Sequence, residues 1–246
     1  MNRIFCIVLM LSADLAIFGC LSTSKIGKYR VETGKWVDLF DGKTMDGWRT
    51  YLHDTVTAAW TVEKGVLTFD PTGLSKEQKG SLVTEHEYED FELQLEWRIS
   101  EGGNSGIFIG VQESDRHYSV AFTGMEMQIL DNIAGKDRDV ETHLAGAFYD
   151  MYGSRSTSLP KPVGQWNKVR IVQYKNHIQF WLNGVSTAKA NLESASWNEL
   201  VNRRREMYPG FIDFAKRLKG KVALQDHGDV VSFRKIRIRT LSAPSQ

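Results

Sequence analysis

The chain has almost no cysteine. Its two, Cys6 and Cys20, both lie within the first twenty of 246 residues, so the body of the chain can build no disulfide framework and supplies no thiolate for a metal. It also lacks a charge excess. Lys and Arg number 31 against 30 Asp and Glu, a net charge of +1, and no bulk field draws it to a polyanion. Nucleic acid is therefore not an expected partner. Low hydrophobicity with high net charge, the mark of disorder, is missing as well: 41% of residues are hydrophobic and 25% charged, an ordinary globular balance. No apolar run reaches the roughly 20 residues a spanning helix needs. Internal repeats, low-complexity tracts and compositional breaks are absent, which argues for a single domain. So are the Gly-x-Ser-x-Gly elbow, the phosphate loop and the His-Glu-x-x-His zinc motif. Gly102-Gly103-Asn104-Ser105-Gly106 is glycine-rich but leads from one strand candidate into another, and so presents no helix N-terminus to a phosphate. The six histidines are scattered. No cofactor is expected, although Asp, Glu and His on separate strands leave a divalent metal open.

What is present begins at the N-terminus. Arg3 precedes an apolar stretch, Ile4 to Leu11, and a second short run, Leu15 to Phe18, ends at Gly19-Cys20. A basic start, a short apolar stretch and a small residue before the cut describe a secretory signal, and an ending on cysteine resembles the bacterial lipobox. Residues 1–19 are thus expected to be a lipoprotein signal peptide. Cys20 is expected to carry the lipid, with residues 20–35, polar and without hydrophobic period, as its tether. Leu21-Ser22 shows no acidic retention residue. By analogy the expected location is the bacterial cell envelope, at the outer membrane facing the periplasm. The lipid would be the sole link to a membrane.

From Trp36 onward short alternating runs are separated by turn residues. Phe91, Leu93, Leu95, Trp97 and Ile99 alternate with Glu92, Gln94, Glu96 and Arg98, which predicts a strand over 91–100 with one buried and one polar face. Ala59–Val62 and Val66–Phe69 flank a hairpin turn at Glu63-Lys64-Gly65. Val169–Tyr174 and Ile178–Leu182 flank another, and Asn183-Gly184 signals a third. Further strand candidates are Gly106–Gln112, Met125–Leu130, Ala145–Tyr149, Lys221–Gln225 and Val230–Thr240, the last with a parity shift that suggests a bulge near Arg234. Helical spacing appears only around Leu192–Arg205, with a further turn at Gly210–Leu218. About ten strands with little helix predict an all-β fold, an antiparallel two-sheet β-sandwich with short helical insertions.

Chemistry must then come from polar residues on strand faces and at strand ends. Glu126 and Gln128 share one face of the Met125–Leu130 strand, and Glu96 and Arg98 the polar face of the long one. Gln225-Asp226-His227-Gly228 closes a strand, where a loop can present His227 to a ligand. Such residues more often do no more than solvate an exposed sheet face.

These segments also carry a resemblance. The run Trp36 to Trp48 (WVDLFDGKTMDGW) resembles the opening of the 3-keto-disaccharide hydrolase domain family. The similarity continues through Trp60–Leu67, Asp90–Leu93 with Glu96-Trp97-Arg98, Gly102–Phe108, Glu126–Asp131, Ala145–Tyr149, Gly164–Asn167, Trp181–Gly184, Leu224–Gly228 and Val231–Arg239. In order, these pieces cover a domain at 36–241. The resemblance implies a concanavalin A-like jelly roll that acts on 3-keto-glycosides. A ketone at C3 acidifies the hydrogen on C2, so a base can abstract it, the C1 substituent can leave by elimination, and water can add back. On this resemblance Glu126 and His227 are the candidates for proton transfer, with the roles of base and acid open. Glu96, Arg98, Asn104, Gln128, Asp131, Tyr149 and Asp226 are the candidates for binding a small-molecule or oligosaccharide substrate. Three other readings remain: a conventional glycoside hydrolase using two carboxylates such as Glu96 and Glu126, a noncatalytic carbohydrate-binding module, and, outside carbohydrate, a structural surface lipoprotein.

Overall fold

The computed structural model describes residues 23–26, 29–153 and 155–245. The expected signal peptide and Cys20 lie outside them. In chain order the strands are β1 (Thr23–Ile26), β2 (Tyr29–Thr33), β3 (Val37–Asp38), β4 (Trp48–Thr50), β5 (Trp60–Glu63), β6 (Val66–Phe69), β7 (Leu82–Thr84) and β8 (Phe91–Ile99). They continue with β9 (Asn104–Val111), β10 (Met125–Leu130), β11 (Asn167–Tyr174), β12 (His177–Leu182), β13 (Val185–Asn191), β14 (Lys221–Leu224) and β15 (Val231–Ser242). A single α-helix among the described residues, α1 (Ala195–Met207), interrupts them.

Every strand pairing is antiparallel. A ten-stranded sheet runs β1-β2-β15-β8-β11-β12-β13 with β3, β5 and β6 attached near β15, and a five-stranded sheet runs β10-β9-β14-β7-β4. The inner faces of the two sheets make one core. Leu93, Leu95 and Trp97 of β8, with Ile171 and Phe180, join Ile107, Ile109, Met125, Met127 and Leu224 from the smaller sheet. Each such side chain contributes roughly 1.5–3 kcal/mol through burial, which carries the fold without disulfides. This is the expected concanavalin-like jelly roll.

Turn chemistry sets the register. Lys64-Gly65 and Asn183-Gly184 both adopt positive φ at two consecutive residues, the conformation whose twist matches flanking antiparallel strands. In β15 the pairing with β8 shifts between Arg234 and Arg237, and Lys235 has a φ of 54°. This is the expected bulge, and it turns Ile236 into the core.

Within the expected tether, residues 23–26 and 29–33 are strands. β1 and β2 form a hairpin, and Thr33 of β2 pairs with Leu241 of β15. Ile26 and Val31 are buried with Val172, Tyr174 and Leu241. The segment shows no period of its own because its apolar partners come from β11 and the far end of the chain. α1 begins at Ser194, whose side chain accepts from the Trp197 amide, and buries Trp197, Val201 and Arg204 on one face.

Candidate functional site

Alternation on β10 decides where the site lies. Met125, Met127 and Ile129 fill the core, so Glu126 and Gln128 stand on the outer face of the five-stranded sheet. Neighbouring β9 puts Phe108 opposite Glu126 and Gly106 opposite Gln128. The Glu126 carboxyl leans over Gly106, into space that a β-carbon there would fill. With its amide nitrogen toward Glu126, Gln128 donates to Oε1 at 3.1 Å and to the Ser105 carbonyl at 3.2 Å, leaving its oxygen toward the Asn104 side chain. Glu126 is 6% exposed. Burial pushes its pKa up to about 8; nearby Arg204 lowers it and Asp150 raises it.

On the open side of β10 the chain returns as a short irregular edge where a strand over Ala145–Tyr149 was expected. Gln128 N donates to Ala147 O (3.0 Å), Gly146 N to Gln128 O (2.8 Å) and Tyr149 N to Glu126 O (3.1 Å). Tyr149 thereby becomes the lateral neighbour of Glu126. Its hydroxyl is held above the ordinary tyrosine pKa by burial, then by the charges of Asp150, Glu126 and Asp137. The His143 ring stacks on it, centroids 4.2 Å apart and planes within 17°. His143 Nε2 lies 2.6 Å from Asp150 Oδ1, and Arg204 Nη1 donates to Asp150 Oδ2 at 2.9 Å and to the Tyr149 carbonyl at 3.3 Å.

Sequence reasoning missed His143, Asp150 and Arg204. One signal was available: Trp197, Val201 and Arg204 follow helical spacing, so a charged residue occupies the buried stripe of α1 and needs an anionic partner. That partner is Asp150.

On the other side of β9, Gln225 N donates to Gly106 O (2.9 Å) and Asn104 N to Asp229 Oδ2 (3.0 Å). The Gln225–Asp229 loop is therefore fastened to the strand over which Glu126 leans. His227 is exposed on it, and burial raises the Asp226 pKa despite amide contacts from Gly228 and Gly80. Glu126, Gln128, Asn104, Tyr149, Asp226 and His227 thus belong to one sheet and the loops at its margin.

Two expected binding residues lie elsewhere, and a third is tied into a turn. Glu96 and Arg98 alternate with core residues of β8 and emerge on the outer face of the ten-stranded sheet, with both layers of the sandwich between them and Glu126. There Glu96 accepts from Arg234 Nε (2.7 Å) and Lys235 Nζ (3.1 Å). Burial works against its charge, but these partners outweigh it and hold the pKa below the usual range. Arg98 lies over Trp166 at 4.9 Å, as Arg234 does at 4.1 Å. Asp131 follows β10, but its carboxylate accepts from the amides of Gly102 and Ile133, both at 2.9 Å. These bonds shape the loop. The resemblance made Asp131 a candidate, and in the structure it caps the turn that follows β10.

The arrangement offers a buried carboxyl of raised basicity, two amides, a phenol and an exposed imidazole on one sheet and the loops at its margin. Among the described residues no three His, Cys, Asp or Glu converge as metal ligands.

The chain is 32% identical over 236 residues to a 3-keto-disaccharide hydrolase of Bacteroides thetaiotaomicron, covering 86% of this chain and 80% of the relative. A crystal structure of a candidate glycosyl hydrolase from Parabacteroides distasonis superposes with a TM-score of 0.73 at 27% identity, covering 84% of this chain and 94% of that one. A family GH16 non-specific endo-β-1,3(4)-glucanase shares the fold at a TM-score of 0.50 and 9% identity, covering 89% of this chain and 94% of that one. With a family match that extends over residues 35–239, the chain belongs to the family of 3-keto-α-glucoside 1,2-lyase-like domains.

Proposed function

We propose that this protein is a carbohydrate-active enzyme that cleaves 3-keto-glycosides, with Glu126 as the base that removes the hydrogen on C2. The observation that carries this reading is the Glu126 carboxyl itself, buried beside two amides and raised to about 8. A carboxylate of ordinary basicity is a poor acceptor for a carbon-bound proton; desolvation raises its proton affinity. The electron pair left at C2 delocalises onto the C3 oxygen, where Asn104 and the Tyr149 hydroxyl are the candidate donors; Gln128 spends both amide hydrogens on Glu126 and the Ser105 carbonyl and so orients the base. Collapse of that enolate breaks the C1–O bond, and the departing oxygen takes a proton, with His227 as candidate donor. Water adding to C1 of the enone, with a proton returned to C2, completes a net hydrolysis.

A conventional two-carboxylate mechanism loses its proposed pair, since Glu96 and Glu126 face away from each other on different sheets. The relative's name and the family description support the keto-sugar substrate class. An assay of one 3-keto-glycoside beside its parent tests the reading. Cleavage of the keto sugar alone, with solvent deuterium entering C2 and lost in Glu126→Gln, is the expected result. Cleavage of the parent, or of a substrate unable to enolise, overturns the mechanism, and binding without turnover makes the domain a lectin-like module. The envelope location belongs to the same proposal and rests on the Arg3 to Cys20 segment.

A further inference from the structure

The corner that carries Tyr149 is held from three directions. Phe148 to Met151 is a tight turn, closed by the Met151 amide donating to the Phe148 carbonyl at 2.8 Å, with Tyr149 and Asp150 at its centre. Asp150 has a φ of 60°, in the left-handed region where glycine or asparagine is the usual occupant. Its carboxylate supplies the reason for an aspartate. Oδ1 lies 2.6 Å from His143 Nε2, and Oδ2 accepts from Arg204 Nη1 at 2.9 Å. His143 comes from the turn Glu141–His143 ahead of the edge, and Arg204 from the last turn of α1. Both side chains also grip Tyr149 itself. The imidazole stacks on the phenol ring at 4.2 Å, while the Arg204 guanidinium sits 5.5 Å from that ring and donates to the Tyr149 carbonyl at 3.3 Å. Phe211 and Phe214, each 4.6 Å from the guanidinium, hold Arg204 in turn. The third hold is the Tyr149 amide, which donates to the Glu126 carbonyl at 3.1 Å.

What this clamp leaves free is the Tyr149 hydroxyl, which has no hydrogen-bond partner among the described residues. Burial, with the charges of Asp150, Glu126 and Asp137, keeps its proton on, so it is a donor. A left-handed aspartate and a buried guanidinium are each unfavourable alone, and folds retain such features where the geometry they impose is used. We propose that His143, Asp150 and Arg204 are positioning residues that hold the Tyr149 hydroxyl ready to donate to the C3 oxygen of the substrate. The acceptor in this assignment rests on the reaction proposed above, whereas the clamp on the ring does not. An unheld phenol would have to find its rotamer as charge builds on that oxygen. A fixed one meets the charge with no reorganisation. The clamp should therefore act on kcat more than on KM.

The test is a double-mutant cycle on turnover of a 3-keto-glycoside, with a second measurement on the ring that needs no turnover. Tyr149→Phe should lower kcat about 100-fold, the order for losing one oxyanion donor. His143→Ala and Asp150→Asn should each lower kcat about tenfold to 100-fold, with KM nearly unchanged, as expected when a working group is misplaced. In the Tyr149→Phe background the same two substitutions should cost less than about twofold, because the group they position is gone. Losses as large in that background as in wild type mean a merely structural role and overturn the assignment. Both side chains are partly exposed, so neither substitution opens the core. Three-bond NMR couplings of labelled tyrosine should show a single χ1 rotamer for Tyr149 in wild type and averaging in both variants. An averaged rotamer in wild type, or a single one kept in both variants, overturns the clamp whatever the activity. Failure of wild type to cleave any 3-keto-glycoside overturns the proposed reaction instead, and the rotamer measurement still decides the clamp.

Discussion

Gly106 makes room for Glu126: the carboxyl occupies the volume that a side chain at 106 would need, one strand away on the same face. Glu126 is therefore positioned by an absence on β9 as much as by β10. Gly106→Ala should displace the carboxyl and lower turnover about 100-fold or more, within the range for losing a general base. Overpacking should cost roughly 1–3 kcal/mol in a denaturant melt. Wild-type kinetics in this variant would show that the carboxyl does not work from where it lies.

The raised proton affinity of Glu126 has a sign in both activity and stability. As a base it must be ionised, so kcat/KM should climb with pH through an inflection near 8. In the unfolded chain it ionises near the ordinary value of 4.5, whereas the folded chain holds the proton to about 8. Between these values the folded state carries more protons, so stability should fall as pH rises across that window and level off above it. Glu126→Gln should flatten this part of a melting-temperature profile. A variant with the wild-type slope would place the titration on another group.

Substitutions on the two outer faces should separate cleanly. Glu126→Gln and His227→Ala should each lower turnover by roughly 10²–10⁴-fold with a smaller change in substrate binding. Glu96→Gln and Arg98→Ala should leave turnover at the wild-type level, because their side chains serve the other sheet. Loss of activity in Arg98→Ala without loss of stability would contradict that placement.

Glu92 gives the structural counterpart. It is 2% exposed and accepts from Arg170 Nε and Arg239 Nη2, both at 2.6 Å, and from Gln94 at 2.9 Å. Glu92→Ala strands two guanidiniums that remain in part solvated. A loss of roughly 1–3 kcal/mol in an unfolding titration, with kcat unchanged, is the expected outcome.

Cys20→Ser tests the anchor. The variant should move from the membrane fraction to the soluble one, and unchanged partitioning would remove the lipid from Cys20. No helix among the described residues is long and apolar enough to cross a membrane.

The sandwich was legible because its longest strands carry their own evidence. Period-two alternation in β8 and the Asn183-Gly184 turn are local signals that tertiary structure had no reason to override. β13 was not foreseen because Val185–Asn191 has little apolar alternation; it pairs with β12 and buries only Thr187, Ala188 and Ala190. The site was half legible. Glu126 and Gln128 stand out as polar residues between core methionines, but the same logic marked Glu96, and alternation cannot tell which of two outer faces a strand will share. Arg204 and Asp150 are far apart in sequence, and their pairing exists only once α1 docks against the returning edge of β10.

The β1–β2 hairpin changes the meaning of the N-terminal segment. With Thr23 already part of a strand, a lipid on Cys20 would be separated from the folded body by chain that spans at most about 10 Å. A domain so moored could not drift and tumble freely above the bilayer. It would ride the membrane in a restricted attitude, with the β1–β2 corner lowermost, and that attitude would fix which loops meet incoming glycans.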